Sequence, residues 1–124
     1  MSFAVWMILV AILLPILTTG IAKAGVPGMD NNKPREWQDM LTGWRRRADW
    51  AHRNHFEALP GFAAAVIVAT IAPANHATTN LLAGLWVAFR IAYTLCYITD
   101  RATLRSVMWA GAMACVIGLF VASA

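Results

Sequence analysis

The chain has 124 residues and a mass of 13.5 kDa, enough for one domain. Hydrophobic residues make up 60% and charged residues 13%, about half the charged share of an average soluble chain. A soluble domain this small needs a large polar surface, so the apolar residues must face lipid. The net charge of +4 has one dense run, Arg45-Arg46-Arg47. Lying between apolar segments, that run fits a membrane face, and no nucleic-acid partner is expected.

Phe3 to Ala22 is the first apolar run, uncharged and interrupted only by Pro15. About 20 such residues cross a bilayer core as a helix. The run lacks the basic start of a signal peptide, so it reads as a retained span. Lys23 to His55 forms a long connection whose early part is turn-rich: Gly25, Pro27, Gly28, Asp30, Asn31, Asn32 and Pro34. From about Met40 no proline occurs until Pro60. This predicts one helix from near Thr42 to Ala72, roughly 45 Å long at 1.5 Å per residue. It should project toward the cytosol, enter the membrane around Phe56 and kink at Pro60. The other spans are Phe56 to Pro73, Leu81 to Ile98, and a last one from about Leu104 to Ser123. The expected fold is all-α, an integral membrane four-helix bundle forming a single domain.

The connections differ in charge. The first holds most of the Lys and Arg, Ala74 to Asn80 holds none, and Thr99 to Thr103 holds Arg101. The positive-inside rule puts the first and third in the cytoplasm. Both termini should then lie on the non-cytoplasmic side.

Arg90 sits near the middle of the third span, where a charge costs about 3 kcal/mol or more. Arg90, Tyr93, Thr94 and Tyr97 share one helical face. Glu57 is the obvious acid to pair with this arginine. In the preceding helix Arg47, Ala51, Asn54 and Glu57 recur at three or four residues, a polar stripe running into the membrane. His52 and Arg53 flank it, and Arg53 and Glu57 form an i,i+4 pair. His52 and His55 are not four apart and no third ligand is evident, so no metal is expected. Cys96 and Cys115 lie in apolar runs without metal-site spacing and read as buried thiols. Arg105 and Ser106 open the fourth span. Arginines suit carboxylates and Glu57 suits an ammonium, so these helix ends have the makeup of a pocket for a small anionic ligand with an amine. A small proton-coupled exporter fits poorly, since the first span has no acid.

The segment Arg47-Ala48-Asp49-Trp50-Ala51-His52-Arg53-Asn54-His55-Phe56-Glu57, followed by Pro60, resembles the signature of the MAPEG family (membrane-associated proteins in eicosanoid and glutathione metabolism). Arg90, Tyr93 and Tyr97, with Leu104-Arg105-Ser106, resemble its third and fourth helices. The likeness covers the whole chain. It implies a homotrimer with glutathione as co-substrate between neighbouring subunits near the cytoplasmic face. By position it implies ligand contacts at Lys23, Arg53, Asn54, Glu57, Arg90, Tyr93 and Tyr97. Arg47, Ala51, His52 and Pro60 belong to the structural motif. Arg105 and Ser106 would lie nearest the sulfur and act in catalysis. The implied reaction is a transferase or peroxidase reaction on lipophilic electrophiles that arrive from the bilayer. A non-catalytic binding protein on the same scaffold is the alternative. Brevity and composition point to a bacterial-type member in an inner membrane. Three positions depart from the pattern: Arg46 replaces a common acid, Trp50 a common arginine, and Tyr93 a histidine of the prostaglandin E synthase branch.

Overall fold

A computed structural model describes residues 1–124. Five helices follow one another: α1 (Phe3–Lys23), α2 (Pro34–Asp39), α3 (Gly43–Ile71), α4 (His76–Ile98) and α5 (Ala102–Ala122). All but α2 are long and apolar enough to cross a membrane, and the chain is an integral multi-pass membrane protein. Only 30 of 124 residues are buried, while large apolar side chains such as Leu17, Ile71 and Val121 lie exposed. Water would reject that distribution; lipid accepts it.

The core is built from small residues. Ala4 and Ala11 of α1, Ala65 and Ala69 of α3, Ala83 of α4 and Ala112 of α5 are all buried in one cluster. Without a side chain beyond Cβ, they let backbones approach closely, which is how helices gain packing energy in lipid. Phe62 and Trp86 stack at 3.8 Å between centroids and fill the centre. Helices α3 and α4 form the middle of the bundle; α1 and α5 pack against both and make no contact with each other. Thr18, Thr70, Thr94 and Ser123 donate to the carbonyl four residues back, the usual way a hydroxyl is satisfied inside a spanning helix.

One helix start and one additional helix go beyond the sequence reading. Helix α4 begins before its apolar run because Asn75 caps it, accepting from Ala77 N at 2.9 Å and Thr78 N at 3.3 Å. Asn80 then accepts from Ala4 N at 3.0 Å, satisfying an orphan donor of α1. The turn-rich connection also contains α2, which was not anticipated. Pro34 sits at its start, where a fixed φ favours a helix. Trp37 and Leu41 are buried with Ala22 and Ala48, which holds this short helix onto the ends of α1 and α3. Helix α3 runs on through Pro60.

The triple arginine ties these ends together. Arg45 donates to the carbonyls of Ala22 and Ala24, at the end of α1. Arg46 donates to Gln38 O at 3.2 Å and Asp39 O at 2.7 Å, at the end of α2. Arg47 donates to Ile98 O from Nε at 3.2 Å and Nη2 at 3.0 Å, at the end of α4. Three consecutive side chains thus serve carbonyls at the ends of three helices, where positive charge also complements the dipole.

Candidate functional site

Trp50, Asn54 and Glu57 recur along α3 at helical spacing, so they share a face with the adjacent Arg53. Tyr93 and Tyr97 do the same on α4. The two sets face each other and line a groove of about 410 Å³, within the size range of small-ligand sites. Tyr93 and Tyr97 meet edge to face at 5.5 Å, and Trp50 lies 6.2 Å from Tyr97. The Arg105 guanidinium lies over the Tyr97 ring at 4.3 Å, bringing the start of α5 to the end of the groove.

The two charged residues of the α3 wall are held differently. Arg53 does not pair with Glu57, four residues on. It donates from Nε to Asp49 Oδ2 at 3.0 Å and from Nη2 to Asp39 Oδ1 at 2.6 Å. Asp49 is fully buried and also accepts from Gln38 Nε2 at 3.1 Å. Arg53 is therefore fixed from behind by two carboxylates while its Nη1 edge has no partner in the chain. Glu57 accepts from Asn54 Nδ2 at 2.8 Å.

Arg90 does not line the groove. It is 1% exposed and does not pair with Glu57. Asn54 stands between them, accepting from Arg90 Nη2 at 3.0 Å while donating to Glu57. The guanidinium lies 4.4 Å from the Tyr93 ring centroid, behind the groove wall. Lys23 is also apart. It lines a smaller cavity of about 180 Å³ with Thr19, Pro34, Arg35, Gln38 and His52. Ser106 is exposed, with its hydroxyl donated to Ala102 O at 3.2 Å. His52 docks α3 onto α1 through Nδ1 to Pro15 O at 2.8 Å, and Ala51, fully buried beside it, leaves room for that approach. One chain thus brings together Arg53, Asn54, Glu57, Tyr93, Tyr97 and Arg105, with Arg90 directly behind and Lys23 and Ser106 outside. Cys96 and Cys115 are free and buried.

The sequence reading passed over several residues of this region. Trp50, noted only as a departure from the family pattern, forms part of the groove wall. Asp39 and Asp49 hold Arg53. His55 sits under Arg90 with its ring bonded to Thr94. Helical spacing from Arg53 pointed to Asp49, but Asp39 lies on another helix and left no local signal.

A polar groove walled by arginine, asparagine, glutamate and aromatic side chains thus lies between two helices of a four-span bundle. No curated protein and no solved structure matches the chain. Residues 3–124 match the MAPEG family, so the chain belongs to the MAPEG family of membrane proteins.

Proposed function

We propose that the groove binds glutathione and that the protein transfers its thiol to lipophilic electrophiles, or uses it to reduce lipid-soluble peroxides. The observation that carries this reading is the opposed charge on one wall. The free edge of Arg53 suits a carboxylate and Glu57 suits an ammonium, which are the charged groups of a γ-glutamyl peptide. Use of glutathione is typical of the family. Tyr93 and Tyr97 form the opposite side, with Arg105 at its end over the Tyr97 ring, and Arg105 is the catalytic residue.

The chemistry follows from charge. A thiol with an ordinary pKa of about 8.5 reacts as its thiolate. A guanidinium and phenol donors at the sulfur stabilise that anion. In transfer, the sulfur forms a bond to an electrophilic carbon. The leaving group departs with its electron pair or, in conjugate addition, the carbon skeleton takes up the proton released by the thiol. Arg53 and Glu57 hold the peptide ends throughout.

The assembly we propose is a homotrimer. The groove is open on one side, and a neighbouring subunit would close it and bring its Lys23 region near. Both termini face the non-cytoplasmic side, since the basic connections lie at the other end. Binding without turnover is the second reading. The orientation of Ser106, whose hydroxyl is donated to its own helix, favours it by removing one donor from the sulfur.

Two measurements test the proposal on protein reconstituted in lipid nanodiscs. Calorimetry should detect glutathione binding, and a panel of lipophilic electrophiles and hydroperoxides should show glutathione-dependent turnover. Binding with no turnover on any substrate selects the second reading. Absence of binding refutes both.

A further inference from the structure

Arg90 is buried in a spanning helix, yet no carboxylate forms an ion pair with it. Its donors go to neutral acceptors. Nε and Nη2 reach His55 Nδ1 at 3.3 and 2.9 Å, and Nη2 also reaches Asn54 Oδ1 at 3.0 Å. A guanidinium only donates, so His55 Nδ1 must carry the lone pair and His55 must be neutral. Its proton sits on Nε2 and is donated to Thr94 Oγ1 at 2.8 Å. Thr94 in turn donates to the Arg90 carbonyl at 3.0 Å. The loop closes with no carboxylate in it, and the positive charge is unbalanced.

A buried cation without a counter-ion is costly, and in a low-dielectric interior its field is weakly screened. Asn54 and the Tyr93 ring separate this one from the groove. The nearest connected acid, Glu57, is reached only through the Asn54 amide. A carboxylate at position 55 could accept the same Arg90 donors and would cancel the charge; an imidazole accepts them and does not.

We propose that His55 is a positioning residue that keeps the charge of Arg90 available to the groove, so that the site selects ligands with net negative charge. This rests on the groove being the ligand site proposed above. Glutathione, with two carboxylates and one ammonium, meets the requirement.

The test compares His55→Asp with His55→Asn in the full-length protein in nanodiscs. Either side chain presents an oxygen toward Arg90 and is too short to replace the imidazole bond to Thr94, so the pair is nearly isosteric and differs chiefly in charge. His55→Asp should melt at a higher temperature than His55→Asn. It should also bind glutathione about tenfold more weakly than His55→Asn, since the carboxylate quenches the field. Equal affinity in the two variants overturns the proposal, as does a His55→Asp protein that fails to assemble where His55→Asn assembles. If wild-type protein takes up no glutathione, the ligand reading falls and the melting comparison decides. A His55→Asp variant no more stable than His55→Asn then shows that Arg90 was never unbalanced.

Discussion

Two groups of arginines lie close together and do different work. Arg45, Arg46 and Arg47 spend their donors on carbonyls at the ends of α1, α2 and α4. Arg53, Arg90 and Arg105 meet carboxylates, neutral side chains or an aromatic face around a groove. Arg47 and Arg53 are separated by fewer than two turns of the same helix. The difference is what remains unsatisfied. A guanidinium on a carbonyl completes a helix end and is finished. One fixed by Asp39 and Asp49, or held by His55, keeps an edge or a charge directed elsewhere. Position relative to helix ends, more than burial or sequence neighbourhood, separates structure from function here.

The largest effect should come from the groove group. Arg105→Ala should lower kcat by about a hundredfold or more, because a donor aimed at developing negative charge contributes chiefly in the transition state. KM for glutathione should change little, and steady-state kinetics on assembled protein will show whether it does. Arg105→Lys should recover only part of the rate, since an ammonium lacks the planar fork. An Arg105→Ala protein with full kcat would move this residue into the structural group and break the division.

Arg53→Ala should act on the other constant. Its proposed contact with a ligand carboxylate persists from ground state to transition state, so KM should rise about tenfold with kcat nearly kept. The variant also leaves Asp49 buried with only Gln38 as partner, so stability will fall too. Arg53→Lys checks for this: it restores a charge near Asp49 without the fork, and should regain stability more fully than affinity. If Arg53→Lys recovers both equally, the contact is electrostatic only.

Much of this division was legible in the sequence and some was not. The four apolar runs pointed to four spanning helices because membrane burial acts on composition over whole turns. The stripe from Arg47 to Glu57 and the Arg90 face were visible because helical spacing alone places their members together. Pairing was harder to read. Glu57 is four residues from Arg53 and was the natural partner, yet Asp49 is equally close on the other side and is buried against Gln38. Asp39, on α2, completes that arrangement from outside the periodic pattern. The triple arginine read as a marker of the membrane face. Its capping role depends on where the ends of three other helices fall, and one of them, α2, was hidden in a segment whose glycines and prolines suggested only turns. Lys23 was grouped with the ligand contacts through its motif position; in a single chain it faces a separate cavity beside Arg35.

The smallest effects, and the sharpest test of the other side of the comparison, belong to the capping arginines. Arg47→Ala removes two hydrogen bonds to Ile98 O and a positive charge at the end of α4. Charge-assisted bonds and the dipole contribution together suggest a loss of about 1–2 kcal/mol. Arg46 is half-buried, and its Asp39 contact at 3.8 Å is long, so Arg46→Ala should cost less, about 0.5–1 kcal/mol. Thermal melts in one detergent will rank the two. Glutathione affinity should stay within about twofold of wild type for Arg47→Ala, because that side chain points to a helix end and not to the groove. Arg46 is the informative case. Its guanidinium also lies over Trp50 at 5.4 Å, so Arg46→Ala loosens one wall of the groove while barely changing stability. A weakening of ligand binding by a few-fold, without a matching drop in melting temperature, would place Arg46 on the border between the two groups. Unchanged binding would leave all three consecutive arginines on the structural side.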